Sequence, residues 1–312
     1  MRIGVSLSTF AASAQTTNVV DEAVRLGRQA AQLGLDAVWF GQMASYDAVA
    51  VAAAVGREVT ELAVGTSVVP IYPRHPQLLA SAAKTAQAST GGRFQLGVGV
   101  GAPSLLEPAY GIPFPAPITH LREYLSALVP LLAGASTPFR GETLVSRPFG
   151  PTAVAGARPP IPVIVAAMGP QALRVTGELA DGTLPFLAGP RTLAEHIVPT
   201  ITEAAARAGR PAPRIIAAVP AVVTHDTGRA RAVAAEQMAF YDRVPSYQAV
   251  VAREGLATAA ELLVAGDEDT VAAQLRRYTD AGATEVTLAQ TDLTGDGDRL
   301  RTWRLAGELA RA

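Results

Sequence analysis

The chain has no cysteine among its 312 residues, which excludes disulfide bridges, thiolate metal sites and a cysteine nucleophile and fits a reducing compartment. Lys84 is its only lysine, and it follows no glycine-rich phosphate loop. The arginines are scattered between acids and alanines and the formal net charge is -1, so no basic stripe offers a surface to nucleic acid or an anionic membrane. Apolar runs such as Ala48–Val55 are far too short to span a bilayer. The opening MRIGVSLST enters a strand pattern with no secretory apolar segment or cleavage site, so a cytoplasmic protein is expected. His120, His196 and His225 show no H-x-x-x-H spacing and no carboxylate partner at ligand spacing, so no metal is expected and packing or solvent exposure accounts for them. GTSVV lacks the closing glycine of a nucleophile elbow, which argues against hydrolysis.

What is present is a large apolar fraction, 49% against 17% charged residues, enough for a sizeable core. Strand and helix patterns alternate from end to end, which predicts a parallel sheet with helical crossovers. Strands are expected at 2–8, 37–41, 62–69, 94–99, 161–166, 180–185, 214–224 and 285–289. Between them the apolar spacing predicts helices at 20–34, 46–56, 76–89, 118–132, 192–208, from 228, 269–281 and from 298. Eight strand–helix units over this length fit a (β/α)8 TIM barrel, an α/β fold, as one domain over 1–312 with insertions near 102–117, 134–160 and 246–264. Within the second insertion, GETLVS is expected to form one arm of an excursion outside the main sheet. A doubly wound sheet is the alternative, but the first strand–helix turn reads SLSTFAASAQT, with no G-x-G-x-x-G. Abundant alanine, with arginine in place of lysine, indicates a GC-rich genome of actinobacterial type.

In such a barrel the active site lies at the C-terminal ends of the strands. That filter keeps Ser8, Gln42, residues 67–75, 99–107 and 166–169, and Phe186. In Val163–Gly182, VIVAAMGPQALRVTGELADG, an apolar strand passes through small residues directly into a helix, which suits a phosphate at the helix N-terminus and equally describes an ordinary strand–helix turn. Gly97, Gly99 and Gly101 allow either close approach of a flat ligand or tight packing of strands. His75, between Arg74 and the helix-opening Pro76, is placed to bind substrate or move a proton, or to cap the helix. Backbone donors, glycines and few charged side chains together suit redox chemistry performed by a bound cofactor.

These segments carry a resemblance over nearly the whole chain. GLDAVWFGQ, VGTSVVPIYPRHP, STGGRFQLGVGVG, VIVAAMGP with ELADG, and GDEDTVAAQLRRYTDAGATEV resemble the bacterial-luciferase-like flavin and deazaflavin oxidoreductases, the luciferase-like monooxygenase superfamily. They are most similar to its branch that uses coenzyme F420. The resemblance implies a TIM barrel in which Thr66, Ser67 and Val68 form a bulge behind the cofactor ring, with a cis peptide between Ser67 and Val68. It also implies that Gly99, Val100 and Gly101 line the ring or ribityl chain, and that Ala166, Ala167, Met168 and Gly169 wrap the phosphate. Ser8 and Gln42 complete the implied cofactor set.

The departures are informative. Where sugar-phosphate dehydrogenases of this family carry an Asp-His pair after strand two and a Glu after strand four, this chain has Gln42-Met43 and Ala102. The expectation is therefore an F420-dependent oxidoreductase that reduces an activated C=C or C=N bond of a small organic substrate, with Tyr72, His75, Glu107 and Tyr110 as candidates for the proton or for substrate contact. An FMN-dependent monooxygenase and a non-catalytic cofactor-binding protein are the alternatives. A homodimer is implied by the resemblance.

Overall fold

Short runs of Val, Ile, Ala and Gly make strands that are buried on both faces, as a parallel sheet under a ring of helices requires. The computed structural model describes residues 1–7 and 17–312, so Ser8 lies outside the described residues. The strands are β1 (Arg2–Ser6), β2 (Ala37–Phe40), β3 (Ala63–Thr66), β4 (Val69–Pro70), β5 (Phe94–Gly99), β6 (Phe139–Arg140), β7 (Val145–Ser146), β8 (Val163–Val165), β9 (Gly182–Thr183), β10 (Arg214–Val223), β11 (Val264–Gly266) and β12 (Glu285–Ala289). Parallel pairing runs β1–β2–β3–β5–β8–β9–β10–β12 and closes from β12 onto β1, with Arg2 opposite Glu285 and Val5 opposite Leu288. With β4 continuing the β3 stave against β5, this is the eight-stranded closed barrel of the TIM fold.

The helices are α1 (Val19–Gln32), α2 (Ala48–Glu58), α3 (Pro76–Ser89), α4 (Pro103–Tyr110), α5 (Pro117–Leu132), α6 (Pro170–Leu179), α7 (Pro190–Thr192), α8 (Val198–Arg207), α9 (Thr227–Met238), α10 (Pro245–Arg253), α11 (Glu268–Asp280) and α12 (Asp296–Arg311). Their starts follow local chemistry. Asn18 accepts from Val20 N–H at 2.9 Å, Asp47 from Ala50 N–H at 2.9 Å and Asp267 from Thr270 N–H at 2.9 Å. α3, α5 and α6 carry proline at their first turn instead. None of the described helices is long and apolar enough to cross a membrane.

The barrel interior is layered. At the bottom Arg214 forks onto Glu285 at 2.6 and 2.8 Å and reaches Gln95 at 2.7 Å, joining β10, β12 and β5. Trp39, Ile164, Leu184 and Ile216 fill the middle, where a Cβ on Gly65 would stand 2.6 Å from the Trp39 ring. The top layer opens at the strands' C-terminal ends.

Three segments differ from the sequence reading. Strand three divides at Ser67–Val68 into β3 and β4, and that peptide bond is cis, as the resemblance implied. The 102–117 insertion contains α4, a helix between Pro103 and the left-handed Gly111 that is too short and too proline-interrupted to give a periodic signal. The 246–264 stretch is likewise ordered: a 3-10 turn at Tyr241–Arg243 leads into α10, a second at Ala259–Leu262 leads into β11, and β11 extends the sheet off β10. The 134–160 excursion does contain the expected arm outside the barrel, the antiparallel β6–β7 hairpin.

One face of α3 ties that excursion down. Lys84 Nζ donates to the Leu131 carbonyl at 2.8 Å and to the Thr152 carbonyl, and Gln87 donates to the Pro159 carbonyl at 2.7 Å. Lys84→Met strips two carbonyls of their donor and is expected to cost about 1–3 kcal/mol, read as a lower urea midpoint at unchanged slope. An unchanged midpoint would contradict that role.

Candidate functional site at the barrel mouth

The site begins with a shelf. β8 ends at Val165, and Ala166–Gly169 lead into α6, whose N-terminus has no side-chain cap. The Ala166 amide is held by the Val98 carbonyl at 2.8 Å and the Ala167 amide by the Val165 carbonyl at 2.8 Å. The first-turn amides of α6 stay available at the positive end of the helix. A Cβ at Gly169 would meet nothing within 4 Å, so the shelf is open where a phosphate would rest. Sequence reasoning did not anticipate that His196 supports it. A π-helical turn at Leu193–Ile197 lets its Nε2–H donate to the Met168 carbonyl at 3.0 Å, and burial lowers the imidazole pKa, favouring the neutral ring.

Beside the shelf lies a cavity of about 180 Å3 in the barrel mouth. One wall is Ser67, Val68 and Ala166, three residues assigned to the cofactor by resemblance. The opposite wall is Phe186, Tyr241 and Tyr247, with Thr287, Ala289 and Gln290 of the β12 end below. Phe186 meets Tyr241 edge-on at 5.2 Å and Tyr247 at 6.3 Å, and the two tyrosines lie 4.8 Å apart. Thr287 Oγ1 and Gln290 Oε1 are buried without a hydrogen-bond partner among the described residues. The small residues of one wall suit the face of a flat ring, and the shelf suits its phosphate, so the residues present fit a deazaflavin or flavin nucleotide.

The other sequence candidates divide. Thr66 and the glycines serve packing: Thr66 Oγ1 donates to the Gly97 carbonyl at 2.7 Å and accepts from its amide at 2.9 Å, and a Cβ on Gly99 would stand 2.8 Å from Val68. Gly101 has φ 82°, and Val100 packs half-buried against the core. Gln42 is turned to the local loop: its amide donates to the Met43 and Tyr46 carbonyls at 2.8 Å and accepts from Ala48 N–H at 3.1 Å. His75 takes the capping alternative, accepting from Gln77 N–H at 3.3 Å while its Nε2–H donates to the Val145 carbonyl at 2.9 Å.

Tyr72 donates to the Pro115 carbonyl at 2.6 Å and stacks on Phe114 and His120 at 3.7 and 4.2 Å. Glu107 accepts from Phe114 N–H at 3.0 Å, and Tyr110 is exposed at the end of α4. None of these four proton candidates lines the mouth cavity. Tyr241 and Tyr247 do; Tyr247 fell in the stretch expected to be an insertion and Tyr241 in the helical pattern before it. The signal available was two tyrosines six positions apart on either side of the helix-opening Pro245.

Burial raises the phenols of Tyr46 and Tyr72 to about 12, with Glu107 adding to the effect at Tyr72. Burial likewise raises those of Tyr124, Tyr241, Tyr247 and Tyr278. The folded state therefore holds these protons more tightly than the unfolded chain, whose phenols ionise near pH 10. This contribution to stability is complete below about pH 10 and is lost as the pH rises toward the folded values. Tyrosinate absorbance is expected to appear together with unfolding, above about pH 10. Ionisation of most phenols near pH 10 with the fold intact would contradict it.

Comparison with known proteins places these features in context. The sequence profile described as luciferase-like monooxygenase matches residues 1–285. A 5,10-methylenetetrahydromethanopterin reductase of Methanolobus tindarius is 27% identical over 260 residues, covering 83% of this chain and 78% of the relative. An F420-dependent glucose-6-phosphate dehydrogenase of Nakamurella multipartita is 30% identical over 192 residues, covering 58% and 54%. Among solved structures, the coenzyme F420-dependent tetrahydromethanopterin reductase from Methanopyrus kandleri superposes with a TM-score of 0.79 at 23% identity, over 98% of this chain and 97% of that one. The oxygenating constituent of 3,6-diketocamphane monooxygenase from Pseudomonas putida, a complex with FMN, superposes with a TM-score of 0.78 at 16% identity, over 99% and 97%.

Proposed function

The chain belongs to the luciferase-like monooxygenase family, a family of oxidoreductase enzymes, and from that premise we propose that it uses coenzyme F420 to reduce an activated C=C or C=N bond of a small organic substrate. The observation that carries this reading is the uncapped shelf of α6 opening beside a mouth cavity with no charged side chain in its lining among the described residues. When bound, the deazaflavin supplies hydride; the protein's share is placement, exclusion of water and a proton source. Met168 and Gly169 present the amide end of α6 to the phosphate, while Ser67, Val68 and Ala166 back the ring. Phe186, Tyr241 and Tyr247 close the other side against water. Because burial raises both phenols, Tyr241 and Tyr247 stay protonated at neutral pH and can donate hydrogen bonds into the cavity.

Sugar-phosphate oxidation is disfavoured, since no cation lines the cavity among the described residues and Gln42 is committed to its loop. The test is anaerobic oxidation of chemically reduced F420 by a panel of enones and cyclic imines. Turnover with at least one member is expected. Consumption only of reduced FMN, and only with oxygen, would overturn the reading in favour of a monooxygenase.

A further inference from the structure

Resting on the F420 reading, we propose that Thr287 and Gln290 are the polar anchor of a substrate subsite for a small, uncharged cyclic amide, held under an aromatic wall of Phe186, Tyr241 and Tyr247. The first ground is the state of Thr287. It is wholly buried midway along β12, where it lines the mouth cavity, and its hydroxyl makes no hydrogen bond among the described residues. Two other buried threonines of the barrel do not share that state. Thr66 bonds the Gly97 backbone at 2.7 and 2.9 Å, and Thr183 donates to the Val165 and Ala167 carbonyls at 2.9 Å each. A buried hydroxyl left unpaired is costly to the fold and has no packing advantage over a methyl group. Its presence is explained by a partner that arrives from outside.

Gln290 points the same way. It has φ 52°, in the left-handed region that a residue with a side chain seldom adopts, and its Oε1 is buried without a donor. Such a conformation costs on the order of 1–3 kcal/mol and collects at functional sites. By contrast, Gln87 settles its oxygen on Phe94 N–H at 2.9 Å and Gln95 its own on the Arg214 guanidinium at 2.7 Å.

The pair then defines the ligand. Gln290 Oε1 can only accept, so it asks for an N–H or O–H. The Thr287 hydroxyl can donate, so it asks for a carbonyl. A neighbouring N–H and C=O on one flat edge is the signature of a lactam or pyridone. The edge-to-face rings above suit a planar body, and because the cofactor ring against Ser67, Val68 and Ala166 takes part of a cavity of about 180 Å3, already below the range of drug-sized sites, the ligand is held to one ring at most. No charged side chain lines the cavity among the described residues. An anion would be stripped of water there without compensation.

The experiment uses the whole chain and two probes, 2-pyridone and glucose 6-phosphate, followed by saturation-transfer NMR and titration on wild type, Thr287→Val and Gln290→Met. F420 is titrated in parallel. Wild type is expected to bind 2-pyridone and not glucose 6-phosphate. Each variant is expected to bind 2-pyridone about five- to tenfold more weakly with unchanged F420 affinity, and Thr287→Val to melt no lower than wild type. Absence of 2-pyridone binding, equal binding by all three proteins, or binding of glucose 6-phosphate in the same cavity would overturn the proposal. F420 affinity falling in step with the variants would also overturn it, by giving the anchor to the cofactor. Variant-sensitive 2-pyridone binding in a chain that binds no F420 would support the subsite and remove the deazaflavin reading instead.

Discussion

Gly169→Asp is expected to weaken F420 binding by about a hundredfold or more while leaving the melting temperature unchanged or slightly higher. Gly169 is the N-cap of α6, with φ -79° and ψ 152°, an extended conformation open to any residue. Nothing lies within 4 Å of the position its Cβ would take, so the side chain enters without a clash. Aspartate at an uncapped N-cap accepts the first-turn amides and favours the helix. Those are the donors a phosphate needs, and the new carboxylate adds repulsion. Two unit charges about 4 Å apart at an effective dielectric near 20 interact by about 4 kcal/mol, which is ample for the predicted loss. Stability and affinity should thus move apart. Parallel loss of both would mean that the shelf is structural only.

Gly97→Ala should have the largest effect on the fold. Gly97 lies in the middle of β5, where a Cβ would overlap the Thr66 carbonyl oxygen and press on Val68 at 3.2 Å. The obstacle is backbone, held by the paired Thr66 hydroxyl bonds, so relief requires moving β3 against β5. Overpacking of this kind costs about 1–3 kcal/mol where side chains can shift; here about 4 kcal/mol or more, or failure to accumulate soluble protein, is expected. Gly297→Ala is the control, since nothing lies within 4 Å of its Cβ position and it sits in the first turn of α12. Its denaturation midpoint should match wild type or exceed it. Equal midpoints for the two variants would contradict the packing assigned to the β3–β5 contact.

The barrel was legible because its signals are local. α3 and β5 begin and end where proline, glycine and the apolar run place them, at Pro76–Ser89 and Phe94–Gly99, and β12 at Glu285–Ala289. Elements that depend on tertiary contacts were less so. β9 keeps two residues of the expected six because its ends belong to the mouth, and α4 is too short to show a period.

The site was half legible. Glycine and small-residue runs marked the shelf and the Ser67–Val68 wall. The candidates chosen for chemical type, His75 and Tyr72, have their polar atoms bonded to the β7 backbone and to the segment after α4. The residues facing the cavity from the other side are Tyr241 and Tyr247, brought there by the excursion after α9. A sequence shows which groups can do chemistry. Which of them face one another depends on the path of the connecting segments, and these carried no periodic pattern.

The most direct test of the account is a pair of calorimetric titrations of the purified chain, one with F420 and one with FMN. Saturable binding of F420 that is clearly tighter than that of FMN is the predicted result. Tighter binding of FMN, or heat from neither, would contradict the assignment of the shelf and mouth cavity to a deazaflavin.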